Sequence, residues 1–268
     1  MSHLTALCGG FCLAVHVFLC YSVLVMRLMY SATALFSLPA VVCVAPAAHA
    51  AEGTEIERSA DSLISTYEDL SNALAGVQDV TDADLVASRV AVDILLIRQL
   101  HATLQSAGAS SASADFTKSF ASRCAVVSDT VDAAMARLKA CHCYESDALN
   151  AALYLLPLIS PEVRPGPDMA PYVAELVANN QEVIIMLLDE AVDASSAPLV
   201  AGLVASAMDY GEELAELASS VGAESLSAEH IFFFGQRKKN FELDFAEHKR
   251  RLTECKFFDC KELSDLFE

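Results

Sequence analysis

An internal repeat constrains this sequence more than any other feature. Residues 106–115 read SAGASSASAD and residues 220–229, which begin 114 positions later, read SVGAESLSAE. Without a gap, residues 52–154 align with residues 166–268 at 23 identical positions out of 103. A composition this rich in alanine and serine would give about 9 identities by chance. The sequence therefore predicts a tandem duplication, in which both copies fold in the same way.

The apolar residues follow helical spacing. In the first copy they recur at steps of three and four from Ile56 to Val77, which indicates an amphipathic helix. Residues 85–97 are apolar on nearly all sides and predict a buried central helix, with Thr81 as its N-cap and Asp84 completing a capping box. Sustained alternation of polar and apolar residues is missing. We therefore expect an all-α fold, a duplicated three-helix bundle with six main helices and a short inter-unit helix.

A proline-rich segment separates the two copies. Residues 160–171, SPEVRPGPDMAP, follow the short inter-unit helix and predict an extended linker or turn. The chain then divides into an export segment at 1–50, a first unit with its short helix at 51–159, this linker, and a second unit at 172–268.

The first 50 residues predict export from the cell. Residues 26–50 combine an early base, an apolar stretch and a final Ala-His-Ala, which is typical of a secretory signal cleaved after Ala50. Residues 1–25 form a second apolar stretch, which is either upstream of the true start at Met26 or a transmembrane helix over about residues 4–25. We expect the first of these, and no stable membrane anchor after cleavage. The mature protein is then periplasmic or secreted.

The charge of the chain argues against nucleic acid as a partner. Only one of the 17 basic residues, Arg27, lies before Ala51, whereas all 36 acidic residues lie after Ala50. The remaining 16 bases leave a net charge of −20 beyond Ala50. Such a surface repels nucleic acid phosphates and anionic lipids.

Cysteines offer the first candidate site. Cys141, His142 and Cys143 are weak candidates for metal ligands, although structural zinc sites space their cysteines by two to four residues. Buried thiols or disulfide halves fit the pattern better, since an exported protein meets an oxidising compartment. The candidate disulfides join Cys141 or Cys143 to Cys255 or Cys260.

No catalytic residue or cofactor is predicted. The sequence lacks the G-x-S-x-G and P-loop motifs, and no Glu-x-x-His pair indicates a di-iron bundle. Asp93 lies in an apolar run, but Arg89 one helical turn earlier favours an ordinary ion pair. The chain is therefore not expected to be an enzyme.

The third helix of the second unit carries the best interaction signal. It combines the run Phe232–Phe234 with a candidate basic face made of Lys238, Lys239, Lys249, Arg250 and Arg251. One interpretation is a docking helix for an acidic protein or for a second copy. The other is a normal amphipathic helix, whose bases pair with Glu247 and Glu254. We expect a non-enzymatic interaction or structural module of the cell envelope or exterior. The alternative is a carrier of a small ligand or metal, held in a cavity between the units.

Overall fold

The computed structural model describes residues 48–107, 114–222 and 225–267. These residues form helices and no strand, so the all-α prediction is confirmed. None of the described helices has the length and apolar character needed to cross a membrane. The predicted export segment lies outside the described residues, except for residues 48–50, which begin the first helix.

The described residues form six long α-helices, two short α-helices and four 3₁₀ turns. The α-helices are α1 (Ala48–Gly76), α2 (Val80–Ala107), α3 (Ala114–Ala140), α4 (Asp147–Tyr154), α5 (Ala170–Asp189), α6 (Ala197–Val221), α7 (Ala228–Glu254) and α8 (Lys261–Asp265). The bounds of α3 and α7 differ by 114 residues at both ends.

The N-cap of α2 lies two residues before the predicted one. Asp79 Oδ1 accepts a hydrogen bond from the backbone N–H of Asp82 at 2.9 Å, so the helix begins at Val80. The prediction of Thr81 and Asp84 as the capping pair is wrong, because the carboxylate of Asp79 accepts the capping hydrogen bond from the N–H of Asp82.

Helix α2 is the centre of the molecule. It packs against α1, α4, α5 and α6, and the side chains of Val90, Ile94 and Ile97 are fully buried. The burial expected for this helix is confirmed, but its expected place at the centre of its own unit is wrong, because α1 lies between α2 and α3. The same core includes Leu176 of α5 and Leu214 of α6, so the two halves of the chain share it.

Each half is a layer of three helices with the first helix in the middle. Helix α1 contacts both α2 and α3, and α5 likewise contacts both α6 and α7. Helices α3 and α7 therefore lie on the outside of the molecule. A smaller second core joins α5, α6, α7 and α8, and it includes Leu188, Val204, Leu252 and Leu263.

The proline-rich linker is held against the first half. Arg98 Nη1 donates a hydrogen bond to the carbonyl of Val163 at 2.6 Å. A single 3₁₀ turn, Pro167–Met169, then leads into α5 at Ala170. The linker is thus shorter than predicted and pinned by a side chain of α2.

A left-handed turn follows α3, and another follows α7. The four residues His142–Glu145 have φ between 51° and 63°, and the four residues Lys256–Asp259 have φ between 52° and 58°. Residues with a Cβ rarely adopt this conformation, which costs about 1–2 kcal/mol per residue. The same rare conformation thus recurs in two turns 114 residues apart.

An arginine precedes each left-handed turn by five residues and caps the first helix of its half. Arg137 donates to the carbonyls of Leu74 at 2.7 Å and Val77 at 2.6 Å. Arg251 donates to the carbonyls of Leu188 at 2.6 Å and Ala191 at 2.9 Å, which are the corresponding positions. Both guanidinium groups thus satisfy carbonyls that a helix C-terminus leaves without partners.

Candidate interaction surface

Helix α7 lies on α5 through a narrow stripe of side chains. Its buried residues are His248 and Leu252, while Phe234, Phe241 and Phe245 are half-buried. The other sides of α7 face solvent, so this helix offers more free surface than the core helices do.

Four large apolar side chains are exposed on α7, and we call them the outer apolar patch. Ile231 is 56% exposed, Phe232 70%, Phe233 51% and Leu243 62%. The guanidinium carbon of Arg237 lies 5.5 Å from the centre of the Phe233 ring, a cation–π contact that orients this ring. With 3.6 residues per turn, Phe232 and Leu243 fall on one side of α7, whereas Ile231 and Phe233 each diverge from that side by about 100°.

The matching positions of α3 are polar. The residues 114 positions before the outer apolar patch are Thr117, Lys118, Ser119 and Asp129. Because α3 and α7 have matching bounds and both lie on the outside, the fold does not require apolar side chains here. The patch therefore needs an explanation other than folding.

Two bases of the candidate basic face are bound within the molecule. Lys249 Nζ donates to the carbonyl of Phe267 at 2.7 Å. Arg250 pairs with Glu247 at 2.6 Å and also with Glu254. The alternative interpretation, in which bases of this helix pair with these two acids, is thus confirmed for Arg250.

The remaining three bases do not form one face either. Arg251 is half-buried and points to the end of α5, so its assignment to an outward interaction face is wrong. Lys238 and Lys239 are exposed, and Lys238 Nζ lies 3.9 Å from Glu242 Oε1. The outer apolar patch, rather than a basic cluster, is the distinctive feature of α7.

Arg237 anchors α7 to α5, a role that the sequence analysis missed. Its Nη1 lies 2.7 Å from Glu175 Oε1, and its Nε lies 2.7 Å from Glu182 Oε1. The matching Arg123 pairs with Asp61 at 2.5 Å. Both copies carry an arginine and an acid at corresponding positions, Asp61 with Arg123 and Glu175 with Arg237. This pairing could have revealed the contact from the sequence.

The described cysteines are five free thiols. Cys141 and Cys143 both pack against the large core whereas His142 is exposed, so the imidazole points away from the two thiols. The described residues contain no group of three His, Cys, Asp or Glu side chains that could hold a metal, and the metal hypothesis gains no support. Cys260 belongs to the smaller core and Cys255 is exposed. The disulfide stays a prediction.

A buried polar cluster joins the three helices of the first half. The hydroxyl of Tyr67 lies 3.2 Å from Nε2 of His101. Burial lowers the pKa of His101 to about 4 and raises the pKa of Tyr67 well above its usual value. Burial also raises the pKa of Cys124 to about 11, with Arg123 opposing this. A nucleophilic cysteine needs a thiolate, so the arrangement is that of a neutral core cluster.

The pKa of Asp93 is perturbed more strongly than the sequence indicated. Burial raises its pKa to about 6, against the opposing effect of Arg89. Arg89 Nε lies 3.8 Å from Asp93 Oδ2, so the predicted ion pair is present, but that oxygen is buried without a hydrogen bond. A stretched ion pair does not offset the loss of hydration.

Comparison with known proteins adds no relative. No protein family, no curated protein and no solved structure matches the chain.

Proposed function

We propose that this chain is an exported tandem duplication of one helical unit, and that it acts by binding another protein rather than by catalysis. The observation that carries the binding proposal is the outer apolar patch on α7, which has polar counterparts on α3.

Four local features support the duplication. The arginine caps at Arg137 and Arg251 bond carbonyls at corresponding positions. The left-handed turns recur with the same spacing. Asp193 Oδ1 accepts from the N–H of Ser196 at 2.9 Å, as Asp79 does from the residue three positions later. Finally, α3 and α7 share their bounds. Independent sequences have no reason to repeat all four at one offset.

The geometry of the outer apolar patch favours a partner with an apolar groove. Phe232 and Leu243 are eleven residues apart, or about three helical turns, and fall on the same side of α7. A helix that lays such residues into a groove is a common mode of protein recognition. Burying a large apolar side chain contributes about 1.5–3 kcal/mol, so these two residues account for a large share of a micromolar affinity.

The charges around the patch suit a protein surface better than an anionic one. Lys238 and Lys239 are exposed bases near the patch, and the exposed acids Glu229 and Glu242 lie on either side of them along the helix. Mixed charges at a rim set orientation and contribute little to affinity. The apolar contacts, rather than a basic cluster, are therefore expected to dominate.

The test compares three forms of the full exported chain as bait. They are the wild type, the double variant F232E/L243E, and the control K118E/V126E, which adds two glutamates to α3 instead. A protein recovered from the native exported fraction is purified and titrated against each form. We expect F232E/L243E to weaken binding by about a hundredfold, since two buried anchors are lost, while the control binds like the wild type. Equal affinity for all three forms overturns the proposal. Binding of the wild type to vesicles without any protein partner reassigns the patch to membranes.

Export is tested separately by sequencing the N-terminus of the protein recovered outside the cytoplasm. Ala51 as the first residue supports cleavage after Ala50. A retained residue 1–25 segment supports the transmembrane alternative instead.

A further inference from the structure

A carboxylate on α2 is buried without a hydrogen bond. The side chain of Asp93 is only 14% exposed, and its buried Oδ2 has no hydrogen-bond partner among the described residues. Arg89 Nε lies 3.8 Å from this oxygen, while Nη2 of the same guanidinium lies 3.3 Å from Oδ1 of the exposed Asp69 on α1. A buried polar atom without a partner is rare in folded proteins and needs an explanation.

The fold itself does not require this charged cluster. The residues 114 positions after Asp69, Arg89 and Asp93 are all apolar, and they are Val183, Leu203 and Ala207. Apolar residues of suitable size in place of a buried ion pair are often neutral or stabilising. The first half therefore keeps ionisable groups where the second half shows that apolar ones suffice. Ionisable groups with perturbed pKa values are concentrated at functional sites.

Helix α6 packs in two different cores along its length. Its first part, residues 197–207, packs in the smaller core. Its last part, residues 210–221, which we call the α6 terminal segment, packs in the large core that the two halves share. The buried residues of this segment are Leu214, Leu217 and Val221. Tyr210 begins the segment and lies close enough to Arg89 and Asp93 to feel their charges, although burial is the main cause of its raised pKa. Because α6 contacts α2, the segment lies beside the buried carboxylate.

The α6 terminal segment depends on this packing for its helical structure. Asn180 Nδ2 donates a hydrogen bond to the carbonyl of Ala207 at 2.8 Å, which fastens the first part of α6 to α5. Gly211 follows one turn later, and glycine is the poorest helix former after proline. A helix as short as the terminal segment is marginal in water without tertiary contacts. Separation from α2 is therefore expected to break backbone hydrogen bonds of the segment, while the first part of α6 stays in place.

Asp93 changes its charge near neutral pH. Burial is the main cause that raises the pKa of Asp93 to about 6, with Asp69 adding to the rise and Arg89 opposing it. On the facing helix, the raised pKa of Tyr210 keeps its phenol neutral, and Asp209 beside it is exposed. The ordinary pKa of an aspartate is 3.8. Ionisation of Asp93 is therefore easier when the carboxyl is hydrated than when α6 covers it.

We propose that the contact between α2 and the α6 terminal segment is a pH-sensitive junction, which is closed when Asp93 is neutral and opens more often when Asp93 is ionised. Because the folded pKa lies above the ordinary one, the closed junction is fully favoured below pH 3.8 and loses stability as the pH rises through 6. The open form is a minor state, in which the carboxylate regains water and the segment loses its helical structure. The inference is independent of the proposed partner binding, since it uses neither the outer apolar patch nor another protein.

Hydrogen exchange of the full exported chain, followed by mass spectrometry at pH 5 and pH 7.5, tests the proposal. After correction for intrinsic exchange rates, the opening constant of the α6 terminal segment should rise about tenfold from the lower pH to the higher one. This factor follows from a pKa of about 6 in the closed junction and of 3.8 in the open one. Residues 197–207 of the same helix should show no such rise, because they pack in the other core.

Two variants make the result specific. D93N keeps the shape of the side chain but cannot ionise, so it should remove the rise and leave the segment as protected at pH 7.5 as at pH 5. E216Q removes a charge from an exposed side chain of the same segment and should keep the rise. Circular dichroism should show equal helix content for all three proteins. A wild type without the rise, a rise that persists in D93N, its loss in E216Q, or an equal rise in residues 197–207 would each overturn the inference.

Discussion

Helices α3 and α7 have matching positions in the two halves, and their outer surfaces differ. Both lie on the outside of the first helix of their half, both are held by an arginine–acid pair, and both end in an arginine cap and a left-handed turn. Their outer surfaces differ, because α3 is polar where α7 carries the outer apolar patch. The comparison teaches that the capping contacts are common to both halves, whereas the patch, on which the proposed binding rests, is present in one half only.

The arginine caps should give the largest loss of stability, which tests whether the two halves share one architecture. R251A removes two charge-assisted hydrogen bonds to carbonyls from a half-buried group, and we expect a loss of about 2–3 kcal/mol. R137A removes the matching bonds from a more exposed side chain and should cost about 1–2 kcal/mol. Urea unfolding measures both. R123A, which breaks an exposed ion pair, is the control and should cost less than about 1 kcal/mol. Two neutral cap variants would contradict the assigned role.

Acid should destabilise the first half through His101, which has no counterpart because the matching residue is Ala215. The pKa of folded His101 is about 4, below the ordinary value of 6.5. The stability contributed by neutral His101 is therefore fully present above pH 6.5. It is lost as the pH falls towards 4, by up to about 3 kcal/mol. Unfolding free energies of the wild type and H101L between pH 7 and pH 4 measure this effect. Equal pH dependence of the two proteins would contradict the prediction.

The ionisation of Asp93 should change stability with pH in the opposite direction. Its folded pKa of about 6 lies above the ordinary value of 3.8. Its contribution to stability is present below pH 3.8 and is lost as the pH rises through 6, so the ionised group opposes folding at pH 7. D93N should therefore stabilise the protein at pH 7 by about 1–2 kcal/mol. The same substitution should bring little gain at pH 4. Destabilisation at pH 7 would mean that the ion pair with Arg89 outweighs burial.

Giving α7 the surface of α3 should have the smallest effect on stability. The variant I231T/F232K/F233S/L243D places the α3 residues at the outer apolar patch. Because all four side chains are more than half exposed, we expect a change within about 1 kcal/mol in thermal unfolding. Binding of the partner should nevertheless be lost. A large drop in stability would show that the patch belongs to the fold after all.

Much of the architecture could be predicted from the sequence, because helices leave a periodic signal. The amphipathic helix expected from Ile56 to Val77 corresponds to α1, which ends at Gly76. The buried run at 85–97 became the central helix for the same reason. The N-cap at Asp79 was missed because Thr81, two residues later, is also a typical N-cap residue. Residue type alone does not determine at which of the two positions the helix begins.

The surface could be predicted less well. The sequence contained the five bases of the third helix, but spacing along a helix does not tell which base reaches another helix. Arg251 turned out to bond carbonyls of α5, and Lys249 a carbonyl near the C-terminal end of the described chain. The shared core between the halves was likewise beyond reach, because it depends on long-range packing of α2 against α5 and α6.

A crystal structure of the exported chain tests the central claim most directly. We predict that residues 56–107 and 115–153 superimpose on residues 170–221 and 229–267. Both Arg137 and Arg251 should bond the carbonyls named above, and both left-handed turns should be present. Halves that fail to superimpose, or a strand in either of them, would contradict the account.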